Sequence, residues 1–250
     1  MKINRIILGL LLAAPLAQAA VTVSFVTSNV FGSTTQTGNT LTLNFTVSGS
    51  GVVSLDATGL TTANAANYNQ LDNANVGTVS SSAAYGKTFS IVVSANNGTG
   101  GATSSHVSTV GLGIVGNNGG RIDWAATAGQ VSEKSIMTFN LTNLTGTTLS
   151  LSNIVIGNAL NATGAVADAR IKNFASSTSN YGTGSINLST GFQAPGGGSS
   201  ANITVEQAAQ PTSGIPGFSI NSITFDVVPE PSAALLGSLG MLALLRRRRG

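Results

Sequence analysis

Thr40-Leu41-Thr42-Leu43-Asn44-Phe45-Thr46-Val47 alternates polar and apolar residues without a break. A backbone that repeats every two residues puts Leu41, Leu43, Phe45 and Val47 on one face and the hydroxyl and amide side chains on the other. That is a strand with one buried face and one wet face. The same phase returns outward along the chain at Val21, Val23 and Phe25, at Phe89, Ile91 and Val93, and at Met137, Phe139 and Leu141. It returns again at Leu149 and Leu151, and at Ile223, Phe225 and Val227. Between these runs lie clusters of Gly, Asn, Ser and Thr at 48–51, 96–101, 116–120 and 196–200, which supply reversals. The expected fold is all-β, an antiparallel two-sheet sandwich of jelly-roll or Greek-key type. The phase slips between Ile220 and Ile223 and again at Asn153-Ile154, so β-bulges are expected there. Residues 57–69 and 159–172, rich in Ala, are the weak helical candidates.

The 250 residues include no cysteine, one histidine and 31 glycines, and only 8% are charged. Disulfide scaffolds, thiolate metal centres and coiled coils are excluded on those grounds. Six of the eleven bases are terminal: Lys2, Arg5, Arg246, Arg247, Arg248 and Arg249. Between residues 20 and 228 five bases face seven acids, so the body is faintly acidic. It is read as having no basic patch with which to neutralise phosphates, and nucleic acid is not an expected partner.

Both ends read as address labels. Lys2 and Arg5 precede an apolar run at 6–12, and Ala17-Gln18-Ala19 has the small-x-small form that signal peptidase accepts. Residues 1–19 are therefore read as a signal helix and 20–227 as the β body. At the other end, residues 232–245 carry no charge and run into Arg246, Arg247, Arg248 and Arg249. As a helix of about 1.5 Å rise this run spans roughly 21 Å, a short transmembrane segment whose arginines mark the cytoplasmic side of the inner membrane. Val228-Pro229-Glu230-Pro231, the apolar run and the basic cluster together resemble the PEP-CTERM sorting signal, residues 228–250 here. The resemblance implies recognition by exosortase, cleavage near Pro-Glu-Pro, and delivery to the cell surface or an exopolysaccharide matrix. Within the body, residues 111–123 followed by Glu133 resemble exported PEP-CTERM bodies of Verrucomicrobia type, which implies a β-rich domain and no particular activity.

Few motifs carry chemistry. Gly111-Leu112-Gly113-Ile114-Val115-Gly116 matches a dinucleotide-loop string, but Asn117-Asn118-Gly119-Gly120 follows where a helix should open. His106 lies in a polar, turn-like stretch with no nucleophile elbow nearby and reads as a surface residue. Asp123 and Glu133 are the residues expected to hold a structural Ca²⁺ with the Asn117-Asn118 loop if any ion is bound, and a salt bridge to Arg121 or Lys134 is the competing reading. No other cofactor is expected. Tyr68, Tyr85 and Tyr181 have turn-type neighbours and, with Trp124, are the candidate sugar contacts. The leading expectation is a non-enzymatic surface or matrix component. A carbohydrate-binding module using the tyrosines is the alternative, followed by a glycoside hydrolase built on paired acids and an adhesin that self-assembles through open sheet edges.

Overall fold

A computed structural model describes residues 19–26, 40–59, 71, 73–96, 102–103, 105–108, 111–114, 121–123, 132–160, 169–172, 179–181, 184–198, 200–208 and 216–230. The expected helices at 1–19 and 232–245 lie outside the described residues, apart from Ala19. Among the described residues no helix is long and apolar enough to cross a membrane.

The strands are β1 (Val21–Ser24), β2 (Thr40–Val47), β3 (Val52–Thr58), β4 (Asn73–Thr78) and β5 (Thr88–Asn96). Short strands β6 (Ala102–Thr103), β7 (Ser105–Ser108), β8 (Gly111–Ile114) and β9 (Ile122–Asp123) follow. Then come β10 (Lys134–Asn140), β11 (Thr147–Leu160), β12 (Ala169–Lys172) and β13 (Ser179–Tyr181). The last three are β14 (Gly184–Pro195), β15 (Ala201–Gln207) and β16 (Gly217–Pro229). They form one antiparallel ladder in the order β13-β12-β15-β10-β5-β2-β3-β4-β1-β16-β11-β14. β6 adds to β5, β8 and β9 add to β16, and β7 adds to β8.

The all-β expectation holds, and the sheet is curled. Strands in a flat sheet lie about 4.8 Å apart, so β16, four places along the ladder from β2, would sit roughly 19 Å from it. Instead the Phe225 ring meets Phe45 edge-on at 5.3 Å and Phe89 at 5.9 Å, while Phe45 and Phe89 stack at 4.8 Å. The wall containing β2 and β5 therefore faces β16 across a shared core. Leu41, Leu43, Phe45 and Val47 are buried in it, as their alternation requires.

Both expected bulges are present between β11 and β16. Ser152 is the extra residue between Leu151 and Asn153, and Asn221 is the extra residue between Ser222 and Ile220. One lies in each strand, so the second restores the register that the first displaces. In that way Leu151, Ile154 and Ile156 all stay buried opposite Phe225, Ile223 and Ile220. Gly111, at φ +114°, passes close to the Asn221 bulge, and a Cβ there would come 2.7 Å from the Ile220 carbonyl oxygen.

The helical candidates fail wherever they are described. Ala57 ends in β3, Ala159 lies in β11, and residues 169–172 form β12. In β12 Ala169 and Ile171 are buried while Arg170 and Lys172 are not, a period of two that overrides alanine's helix preference.

Phe225→Ala removes the ring that joins the two walls and should destabilise the protein by about 3–5 kcal/mol in urea titration. Val26→Ala, at an exposed side chain, should stay within about 0.5 kcal/mol.

Candidate functional site

Among the described residues, seven charged ones gather where β9, the start of β10, the end of β15 and β12 come together. They are Arg121, Asp123, Glu133, Lys134, Arg170, Lys172 and Glu206. Two carboxylate centres result, one on the outer face of the sheet and one beneath it.

The outer centre is set by register. Arg170 of β12 lies opposite Glu206 of β15, which lies opposite Lys134 of β10. Asn180 and Asn96 extend the row onto β13 and β5. The neighbouring register row, Ile171, Val205, Ser135 and Ala95, is buried, so the charged row belongs to the other face. Glu206 is nevertheless only 2% exposed, because three cations close over it. Arg170 Nε lies 2.8 Å and Lys172 Nζ 2.6 Å from Oε1, and Lys134 Nζ lies 3.9 Å from Oε2. Among the described residues, one carboxylate is thus surrounded by three cations, a surplus of two positive charges within 4 Å of it. The three bases keep 28–38% of their side-chain surface exposed. The reading of a body without a basic patch is corrected here: positions 134, 170 and 172 are separated along the chain and joined by strand pairing.

The inner centre is Asp123 with Glu133, both buried. The Glu133 amide donates to the Asp123 carbonyl at 2.9 Å, and the Asp123 amide donates to Glu133 Oε2 at 3.3 Å. The two carboxyls are also hydrogen-bonded to each other. Burial, reinforced by the Asp123 charge, pushes Glu133 up to about 9, so it carries a proton at neutral pH. Burial also raises Asp123, against the opposing pull of the Glu133 hydrogen bond and the Arg121 charge. Asp123 Oδ2 is buried without a partner among the described residues. Gly217 of β16 pairs with Asp123, and a Cβ there would come 2.9 Å from the Asp123 Cβ.

Carboxyls close enough to share a hydrogen bond stand nearer to each other than the roughly 5–10 Å separation that sugar cleavage uses. Among the described residues, no group of three or more His, Cys, Asp or Glu gathers that could hold a metal ion. The Asn117-Asn118 loop lies outside those residues. The expected Lys134 bridge to this pair is not formed, since Lys134 turns to Glu206; Arg121 acts on Asp123 through its charge.

The other residues singled out in the sequence are dispersed. The Tyr85 ring lies over Gly51, whose Cβ would come 2.7 Å from it, and packs on the core. Tyr181 ends β13 opposite the buried Ala169. Tyr68, Trp124, Ala17, Pro231 and Arg246, Arg247, Arg248 and Arg249 lie outside the described residues. Gly111 opens a strand, not a phosphate loop, and His106 lies in β7 opposite Gly113 and not in a turn. Val228 and Pro229 end β16 opposite Thr148 and Thr147. Just before them, Asp226 accepts the amide and hydroxyl of Ser80 and the amide of Val227, although burial still raises its carboxyl. No family model, curated protein or solved structure matches this chain.

Glu206, Arg170 and Lys172 were missed as a site in the sequence. The available signal was the alternation Ala169-Arg170-Ile171-Lys172, which reads as a strand with a basic outer face.

A carboxyl raised in the folded state favours folding below its unfolded value near 4.5, and that advantage is lost as pH climbs through about 9. Melting temperature should therefore fall between pH 5 and pH 9, with Glu133 contributing up to about 1.4 kcal/mol per pH unit. Glu133→Gln keeps a neutral donor facing Asp123 and should flatten that slope and melt above the parent at pH 8–9. An unchanged slope would show that Glu133 ionises normally.

Proposed function

We propose that the chain is an exported, non-enzymatic component of the cell surface or exopolysaccharide matrix. Its body is a β-sandwich of jelly-roll type, delivered through a C-terminal PEP-CTERM signal that exosortase reads at the inner membrane. Signal peptidase removes residues 1–19 on the way out, and the fourteen-residue apolar run with its arginines holds the intermediate in the bilayer.

One observation carries the reading: the final strand runs directly into the sorting box. Pro229 still pairs with Thr147, and the Glu230 amide donates to the Gly146 carbonyl at 3.2 Å. A cut beyond Glu230 would leave every described ladder partner of β16 in place, so the label can be removed without loss of fold. Proline at 229 suits this position, because a strand terminus has no further ladder bond to require its missing N–H. The polar outer residues of the strands, mostly Thr, Ser and Asn, support a hydrated polysaccharide setting better than a lipid one.

Intact mass of cell-associated and released protein tests this. Loss of residues 1–19 together with Arg246, Arg247, Arg248 and Arg249 is the expected result. A released or surface form that keeps the arginines would mean a permanent anchor and no sorting cut.

A further inference from the structure

We propose that the cation row over Glu206 is a binding face for acidic polysaccharide, with Lys134, Arg170 and Lys172 as its contacts. The ligand class deepens the matrix reading above and rests on it; the face itself is argued from charge and geometry.

The stoichiometry comes first. One carboxylate needs one cation, and Glu206 has three within 4 Å. The body as a whole is faintly acidic, so a local excess of two positive charges runs against the average. Like charges this close repel, and a structural bridge alone gives no reason to bring in the second and third. An anionic ligand above the row would relieve the repulsion.

Preparation comes second. Glu206 sits under the cations and holds their long side chains in place before any ligand arrives, which removes part of the ordering cost of binding. All three remain partly exposed. Lys134 and Arg170 lie on strands either side of β15, so their backbones are roughly 10 Å apart. That spacing along a sheet surface suits successive acidic groups on an extended chain.

The charge count selects the polymer. Duplex nucleic acid engages proteins through about six to ten phosphate contacts, and three cations over a carboxylate supply far fewer. A carboxylated glycan of low charge density needs less, and repeated weak contacts along one chain reinforce one another.

The test is retention on immobilised polygalacturonate in low salt, using the full chain in neutral detergent. Arg246, Arg247, Arg248 and Arg249 are changed to Gln in every sample, so that the tail cannot bind. Binding to polygalacturonate but not to neutral dextran is expected, and it should weaken as salt rises. The variant Lys134→Gln/Arg170→Gln/Lys172→Gln should lose roughly tenfold in affinity. Lys172→Gln alone leaves Arg170 on Glu206 and should lose about twofold or more while melting like its parent. Equal binding to dextran, tighter binding to phosphatidylglycerol vesicles or duplex DNA, or unchanged binding by the folded Lys172→Gln protein would overturn the proposal. Failure of the sorting cut would leave this binding untouched, and absence of binding would leave the mass result untouched, so the two readings fail separately.

Discussion

A single long strand, hydrogen-bonded along both edges while its inward rings meet the opposite wall, is the constraint on which this body is built. β16 takes β1 on one side and β11 on the other, with β8 and β9 completing the edge beyond β1. Phe225 then closes the curl against Phe45 and Phe89. A strand so enclosed cannot slip by one residue without turning its apolar set outward. The paired bulges at Ser152 and Asn221 answer that demand: between Leu151 and Ile156 each strand changes phase once, and the apolar sets still coincide on both sides of the change.

The same scarcity of charge that permits such a core makes the buried carboxylates informative. A buried carboxylate must be neutralised, either by a proton or by cations. Glu133 uses the first solution and Glu206 the second, and both lie at one end of β10 and β15. The proton-bearing pair is sealed under Gly217 and contributes to the fit of β9 against β16. The cation-bearing centre stays partly open to solvent. Burial is shared; access differs, and access is what a binding role requires.

How much of this was legible depended on whether the determining contact was local. Alternation in residues 40–47 and 223–227 is a local property, and it revealed the strands; the slips at Asn153 and Asn221 revealed the bulges for the same reason. The curl was not legible, because the meeting of Phe225 with Phe45 joins residues 180 positions apart with no pattern linking them. In residues 169–172 the period of two carried by Arg170 and Lys172 is also local, and it outweighs the alanine-rich composition of 159–172 that favours a helix. In the site, the Asp123 and Glu133 pair was visible as two acids ten positions apart that follow one glycine-rich segment. The Glu206 centre was invisible, because its members come from three strands whose order in the ladder, β12-β15-β10, differs from their order in the chain.

That difference in order also separates the two proposed roles in space. The proposed sorting junction leaves from β16, on the wall that faces β2 and β5 across the core. The cation row lies on the outer face of β10, β15 and β12, which continue from β5 on the other arm of the ladder. A tether acting through Pro229 and a polymer lying on Lys134, Arg170 and Lys172 would therefore engage different walls of the sheet. Net charge, an average over the whole body, hides this arrangement: a faintly acidic protein can carry a basic face provided its few cations are collected by strand pairing around one buried acid. The determining quantity is the local ratio of three cations to one carboxylate, and that ratio is fixed by register.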